Sequence, residues 1–278
     1  MDKKKVLFFV TVGLLVVAFA VSAYMVGSYL MESKRQEDIY AQYTRPAATV
    51  PTTAETVAPT VPAATEETVP EETTEPTEPT ILPEMQQYYD DNPHTVGYIE
   101  LPGTKLSYPV VQTPGDRDYY LDKDFQGKKS AFGTIYAELA DINKPSDNIT
   151  LYGHNMKDGS MFAVLHKYQD KAFLEENQII FFDTLYERHT YRVFAAFKTS
   201  ANLGEGWDYH KFIDAKNEEE FNEFVQIAKY GRTEGGKVVS FFDSGITPVY
   251  GDKIITLSTC EYTMGPNGRL VVCAVRWT

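Results

Sequence analysis

The hydrophobic and polar positions of the 278-residue chain divide it into three zones. Residues 6–31 hold no charged side chain, residues 46–83 hold no aromatic side chain, and from residue 84 onward apolar and polar residues alternate over short distances. The first run predicts a membrane-spanning helix, because at ~1.5 Å per residue it is longer than the ~30 Å hydrocarbon core of a bilayer. The later alternation is typical of half-buried strands. The pattern therefore predicts an anchored chain that carries a β-rich domain.

The charges beside the apolar run give it a direction. Three lysines occupy positions 3–5, whereas acidic and basic residues are mixed in the juxtamembrane segment 32–45. Because positive residues stay on the cytoplasmic side, residues 1–5 are expected in the cytoplasm, and the chain after about residue 32 is expected outside the cell. A cleaved secretory signal is the alternative, since residues 21–23 (Val-Ser-Ala) are small enough for signal peptidase. Both interpretations export the same domain.

Segment 46–83 has the composition of a linker. It contains 11 Thr, 8 Pro and 7 Glu, and no Lys, Arg, Gly or aromatic residue. Such a sequence buries too little apolar surface to offset the entropy lost on ordering, so we expect it to be disordered. Pro-rich chains approach ~3.1 Å per residue, which predicts a stalk between the membrane and the domain 84–278. A spacer across a cell wall and a passive linker remain alternatives, and the Thr-Pro density permits O-glycosylation.

Short β-branched or aromatic runs between turn-forming residues predict about eight strands in the exported region. These runs are Val96–Leu101, Leu106–Gln112, Gly133–Ala137, Ile149–Gly153, Ile179–Phe182, Tyr191–Lys198, Lys253–Thr259 and Leu270–Trp277. Helical spacing occurs at Glu84–Tyr89, at Met161–Tyr168 and most clearly at Glu218–Tyr230. The predicted fold class is mainly β, a closed barrel with a few appended helices.

Charge and cysteine content exclude several functions. A net charge of −13 argues against a nucleic-acid or other polyanion-binding surface, which needs a dense basic footprint. Two cysteines cannot form a disulfide framework or a four-thiolate zinc site, so one bridge or two free thiols remain. We interpret His94, His166, His189 and His210 as ordinary surface or partly buried histidines. No three potential ligands are spaced as a zinc site requires. We therefore expect no metal and no cofactor.

The candidate chemistry begins at Cys260, where an apolar strand ends as polar residues return. Arg269 opens the next strand nine residues later, after a loop that contains Gly-Pro-Asn-Gly. If these strands pair antiparallel, Cys260 and Arg269 face each other. Cys273 then lies four residues further along, about 13 Å away at ~3.3 Å per residue, which is too far for a disulfide. Cys273 is therefore expected to be a core residue.

A second strand, 149–153, ends beside His154. A thiol needs a base or cation nearby to become a thiolate, and acyl transfer needs a donor for the developing oxyanion. Cys, His and Arg meet these needs. Spacing alone leaves open that Cys260 is a buried strand cysteine and Arg269 a surface charge.

The motifs Tyr-Gly-His-Asn-Met-Lys-Asp-Gly-Ser-Met-Phe at 152–162 and Thr-Leu-Ser-Thr-Cys-Glu at 256–261, followed by Arg269, closely resemble those of class B sortases. The resemblance covers nearly all of residues 88–277. It implies a membrane-anchored cysteine transpeptidase with an eight-stranded barrel, an N-terminal helical part and a long helix before the cysteine strand. The predicted helix 218–230 fits that last element.

By this resemblance, Cys260 is the nucleophile, His154 the general acid and base, and Arg269 the group that orients the substrate carbonyl and stabilises the tetrahedral intermediate. The same resemblance assigns five residues to the substrate groove: Leu121, Tyr152, Ser258, Thr259 and Glu261. The loop between Cys260 and Arg269 varies within the family, so its share in substrate choice stays open.

The implied function is cleavage of a C-terminal sorting motif of surface proteins after Thr, through a thioester, and transfer to a peptidoglycan or lipid II amine. A pilin-polymerising sortase is an alternative. An L,D-transpeptidase is disfavoured because that family keeps its Arg two residues after the Cys, whereas Cys260 is followed by Glu-Tyr. A stalked surface-binding module with an incidental thiol is the non-enzymatic alternative.

Overall fold

The fold is that of a computed structural model, which describes residues 3–45, 79–142, 144 and 146–277. Nine strands form its sheet, bounded as follows: β1 Thr95–Glu100, β2 Ser107–Val111, β3 Ile135–Ala137, β4 Asn148–Tyr152, β5 Ile179–Thr184, β6 Thr190–Ser200, β7 Val238–Ser240, β8 Ile254–Cys260 and β9 Gly268–Arg276. The eight predicted strands are all present. Only β7 was not predicted; unlike β3, which has the same length and is buried throughout, it contains a single buried residue and so shows no apolar run.

The strands close into a barrel in the order β5-β1-β2-β3-β4-β8-β9-β6, and pairing of β5 with β6 completes the ring. The predicted eight-stranded barrel is therefore confirmed. β7 lies outside the ring and pairs with residues Phe197–Thr199, near the carboxyl end of β6. Pairs β2–β3 and β4–β8 are parallel and the other pairs are antiparallel. The parallel β4–β8 pair brings the carboxyl ends of two strands to one end of the barrel.

The α-helices are α1 Lys3–Tyr40, α2 Pro83–Asp91, α3 Lys171–Glu176 and α4 Glu218–Tyr230. Two 3-10 helices span Phe162–Gln169 and Tyr209–Lys211. Helix α4 has the predicted bounds because both ends are marked locally. The Asn217 side chain accepts a hydrogen bond from the Glu220 amide at its start, and Gly231 adopts a positive φ of 73° at its end. Its apolar face packs on β6 and β7.

Helix α1 contains the apolar run and continues beyond it. The helix is long and apolar enough to cross a membrane, and none of its most apolar stretch is buried against the protein. Its last turns, in contrast, pack on the barrel. Tyr40 meets Tyr108 with ring centroids 4.9 Å apart, and Arg35 donates to the fully buried carboxylate of Asp124 at 2.7 Å. The juxtamembrane segment 32–45 is thus part of the domain's packing, which the sequence did not predict.

The described residues on either side of positions 46–78 contact the barrel at nearly the same place. The Arg45 guanidinium binds both carboxylate oxygens of Asp183, at 2.7 and 2.9 Å, near the end of β5. The Leu82 amide donates to the carbonyl of Leu185, two residues further on, at 2.8 Å. The predicted linker 46–83 falls mostly on residues 46–78, which lie outside the described residues. Both described ends of this stretch are attached to one region of the barrel.

Candidate active site

Strand pairing places Cys260 opposite Arg269. The two residues are Cα partners in the last rung of the β8–β9 ladder, as the hairpin spacing predicted. Parallel pairing of β4 with β8 aligns Tyr152 with Ser258, so the chain that leaves β4 reaches His154 beside the end of β8. Three segments distant in sequence therefore meet at one end of the barrel.

A pocket of about 70 Å³ lies at this end. It is lined by seven of the eight predicted site residues and three others: Leu121, Tyr152, His154, Ser258, Thr259, Cys260 and Arg269, with Thr134, Tyr136 and Gly153. Cys260 is free and partly exposed, so its thiol is accessible to a small reagent. The pocket thus contains a thiol, an imidazole and a guanidinium.

A backbone carbonyl and a glycine hold His154 in place. Its Nε2 lies 2.7 Å from the carbonyl oxygen of Leu121. Gly133, with a positive φ of 60°, lies against both partners: a Cβ there would come within 2.7 Å of the Leu121 oxygen and 3.0 Å of His154 Cδ2. Only glycine leaves room for this contact. In the sequence, Gly133 marks a strand start and carries no assigned role, because a lone glycine looks like a turn signal.

Arg269 points its guanidinium into a site free of acidic partners. Its Nη1 donates to the carbonyl of Gly268 at 3.0 Å. Within the described residues, no carboxylate lies within 4.0 Å of this guanidinium. Its remaining N–H groups are therefore available to a substrate oxygen.

Two residues that line the pocket, Ser258 and Thr259, are buried and carry hydroxyl groups. The Ser258 hydroxyl lies 2.6 Å from the hydroxyl of Tyr209, and Thr259 donates to the carbonyl of Gly153 at 2.7 Å. Tyr152 stacks on Tyr136, with ring centroids 5.5 Å apart. Burial raises the pKa of Tyr209 to about 12 and also raises the pKa of Tyr152, so both phenols stay neutral at physiological pH. The hydroxyl groups of Ser258 and Thr259 are thus both hydrogen-bonded within the protein.

Glu261 is the predicted groove residue that does not line the pocket. Its side chain is buried and accepts hydrogen bonds from the Thr263 hydroxyl at 2.8 Å, the Thr263 amide at 3.0 Å and the Met264 amide at 3.1 Å. Lys198 Nζ lies 3.3 Å from its other oxygen. Burial alone would raise the pKa of Glu261, but the bonds from Thr263 and Lys198 outweigh it and lower the pKa. The carboxylate thus holds the β8–β9 loop and is not part of the pocket lining.

Cys273 is free and fully buried, as expected of a core residue. Burial raises its pKa to about 12, which leaves Cys260 as the thiol suited to chemistry. Among the described residues, no group of three or more His, Cys, Asp and Glu is arranged to hold a metal ion.

His166 makes a contact that the sequence did not reveal. This residue of the first 3-10 helix places Nε2 3.0 Å from the carbonyl oxygen of Cys260. From the sequence it is expected to be an ordinary helix histidine, since nothing local links positions 166 and 260.

This arrangement has the components of nucleophilic acyl transfer. A thiol can attack a carbonyl carbon, an imidazole can move the proton, and a guanidinium can stabilise the developing oxyanion. All three line a pocket open to solvent at the end of a rigid barrel.

Comparison with known proteins points the same way. The sortase domain family matches residues 99–277. Sortase B of Staphylococcus aureus is 30% identical over 197 residues, which cover 70% of this chain and 75% of that protein. Sortase B of Listeria monocytogenes is 28% identical over 260 residues, which cover 91% of this chain and 90% of that protein.

Solved structures give the same result. A Staphylococcus aureus sortase B–substrate complex aligns with a TM-score of 0.62 at 30% identity, covering 71% of this chain and 86% of that chain. A sortase B complexed with triglycine aligns with a TM-score of 0.61 at 31% identity, covering 70% of this chain and 86% of that chain.

Proposed function

Because the chain belongs to the sortase family of cysteine transpeptidases, we propose that it cleaves a C-terminal sorting motif of surface proteins after Thr and joins them to a peptidoglycan amine. The observation that carries this proposal is the pocket that Cys260, His154 and Arg269 line together. Leu121 and Tyr152 form part of its wall and are proposed to contact the sorting motif.

In the first step, Cys260 Sγ forms a bond to the Thr carbonyl carbon while its proton passes to His154. Arg269 donates to the oxygen that becomes negative in the tetrahedral intermediate. The C–N bond then breaks, His154 returns the proton to the leaving nitrogen, and a thioester remains on Cys260.

In the second step, an acceptor amine attacks the thioester carbon and gives up a proton to His154. The C–S bond breaks, an amide forms, and His154 returns its proton to the thiolate of Cys260. The acceptor is proposed to be an amine of peptidoglycan or of lipid II. The related sortase B that holds triglycine, a short peptide, is consistent with an acceptor of this kind.

We propose that the apolar part of α1 is a single membrane span. The lysines at positions 3–5 favour a cytoplasmic N-terminus, which would put the catalytic domain 84–278 outside the cell. The helix has the required length and composition. This location would give the pocket access to both exported proteins and cell-wall amines.

The test uses the full-length chain in detergent micelles with a pentapeptide library and an added amine, either triglycine or diaminopimelate. Cleavage after Thr, an acyl adduct on Cys260 and an amide product with one amine are expected by mass spectrometry. Cys260→Ala should abolish all three, while Cys273→Ala, the matched control, should retain them. Cleavage that survives Cys260→Ala, or the absence of cleavage of any Thr-containing peptide, would refute the proposal.

A further inference from the structure

The carbonyl of Cys260 lies beyond the reach of the neighbouring strand. β4 ends at Tyr152, which pairs with Ser258, and the Gly153 amide donates to the carbonyl of Ser258 at 3.2 Å. β8 continues for two more residues. On its other side, the Glu261 amide donates to Gly268 of β9 at 2.9 Å. The Cys260 carbonyl therefore needs a partner that strand β4 does not supply.

Two side chains supply that partner. His166 Nε2 lies 3.0 Å from the Cys260 oxygen, and Asn155 Nδ2 lies 3.4 Å from it. A carbonyl only accepts, so His166 must donate through an Nε2–H group. The shorter distance makes His166 the principal donor.

His166 is carried by a helix that also contacts His154. The 3-10 helix Phe162–Gln169 buries Phe162, Val164, Leu165 and Tyr168 against the barrel. At its first residue, the Phe162 amide donates to the carbonyl of His154 at 2.9 Å. The Phe162 ring also lies against Gly153, where a Cβ would come within 2.7 Å of the ring. One rigid helix thus binds the main chain of both proposed reacting residues.

We propose that His166 is a positioning residue, which fixes the Cys260–Glu261 peptide and so aims the Cys260 thiol relative to His154. A peptide unit is planar, so holding its oxygen fixes the rotation that follows the Cys260 Cα. The 3-10 helix then links the two reacting residues through two hydrogen bonds. One runs from the Phe162 amide to the His154 carbonyl, and the other from His166 to the Cys260 carbonyl. This inference rests on the proposed function, in which Cys260 is the nucleophile.

Substitutions of His166 separate the hydrogen bond from side-chain size. Gln places an amide nitrogen at the reach of Nε2, Asn is too short to reach the Cys260 oxygen, and Leu has similar bulk without a donor. Because misplacement of a reacting group by about 1 Å costs up to ~100-fold, His166→Leu and His166→Asn should lower kcat roughly 10- to 100-fold with little change in KM. His166→Gln should restore most of kcat. Lys167→Gln, an exposed neighbour on the same helix, is the matched control and should behave like the unsubstituted protein.

The measurements are kcat and KM for peptide cleavage by the full-length chain, and the rate of Cys260 alkylation. Wild-type kcat in His166→Leu, or an equal loss of kcat in the Gln and Asn variants, would overturn the inference. If the Leu variant does not fold, the comparison of Gln with Asn decides. Activity that survives Cys260→Ala would instead refute the proposed function, so the two failures are distinguishable.

Discussion

The imidazole Nε2 of His154 lies 2.7 Å from the main-chain oxygen of Leu121. Since a carbonyl oxygen only accepts hydrogen bonds, this contact requires a hydrogen on Nε2. In the neutral ring, Nδ1 is then the nitrogen with a free lone pair for proton transfer. The fixed carbonyl thus selects the tautomer as well as the position of the ring.

This relationship allows orientation and proton transfer to be separated. His154→Gln keeps a donor for the Leu121 oxygen but has no basic nitrogen. We expect the variant to keep its melting temperature and to lose roughly 10²- to 10⁴-fold in kcat for peptide cleavage, the usual contribution of a general acid and base. Thermal unfolding followed by circular dichroism and steady-state kinetics test both halves. Activity within a few-fold of the unsubstituted chain would show that His154 does not transfer the proton.

The two thiols should differ sharply in reactivity. Cys260 is partly exposed, whereas Cys273 is fully buried and has its pKa raised to about 12 by burial. Iodoacetamide should therefore add one label to the native protein, at Cys260, and a second only after unfolding. Intact-mass and peptide mapping provide the readout, and Cys260→Ala should remain unlabelled while folded. Native labelling of Cys273 would contradict its placement in the core.

Glu261 should stabilise the fold in a pH-dependent way. Hydrogen bonds from Thr263 and Lys198 lower its pKa, so the stabilisation is complete above the unfolded value of about 4.3 and disappears as pH falls through the lower folded value. Glu261→Gln should lower the free energy of unfolding by about 1–3 kcal/mol near neutral pH. This difference should shrink progressively as the pH falls below the unfolded value of about 4.3.

Urea unfolding across the pH range measures this effect. The control is Glu223→Gln, an exposed position in the middle of α4 that should show no such difference. A gap between the Glu261 variant and the unsubstituted protein that grows on acidification would have the wrong sign for this explanation.

The juxtamembrane segment should matter more to the domain than the segment that follows it. Arg45 binds the buried carboxylate of Asp183, and removal of one member of such a pair costs about 3–5 kcal/mol. Arg45→Ala should therefore lower the melting temperature of the full-length protein, while Arg117→Ala, an exposed arginine, should not. Replacement of 46–78 by a flexible Gly-Ser linker of about ten residues should leave the melting temperature unchanged.

Differential scanning calorimetry in detergent distinguishes these variants. Strong destabilisation by the shortened linker, with none from Arg45→Ala, would mean that the domain depends on the deleted residues and not on the Arg45 contact.

The local pattern of apolar and polar residues was sufficient to predict much of the barrel. The strands that carry Cys260 and Arg269 are continuous apolar runs joined by a short loop, so their pairing and register could be inferred. Helix α4 was predictable at both ends because Asn217 and Gly231 mark them. The two residues that mark each of these features lie within 14 positions of each other.

The contacts that were missed join distant parts of the chain. The hydroxyl pair of Tyr209 and Ser258, and the donor from His166 to Cys260, depend on how the barrel closes. The segment 32–45 gave no signal because most of its residues are polar or charged, and two of the carboxylates that pair with its arginines, Asp124 and Asp183, are distant in the sequence. Family resemblance assigned Glu261 to the groove, but the hydrogen bonds of its carboxylate to Thr263 and Met264 could not be inferred from the sequence.

Cys260 and Arg269 belong to a rung of paired strands, and the residues between them form a separate loop closed by Glu261. These two residues therefore keep their spacing through the pairing of β8 with β9, which does not depend on the side chains of the loop. A change in the sequence or length of that loop should therefore leave the register of Cys260 and Arg269 intact, so this hairpin tolerates variation between two residues whose mutual position is fixed.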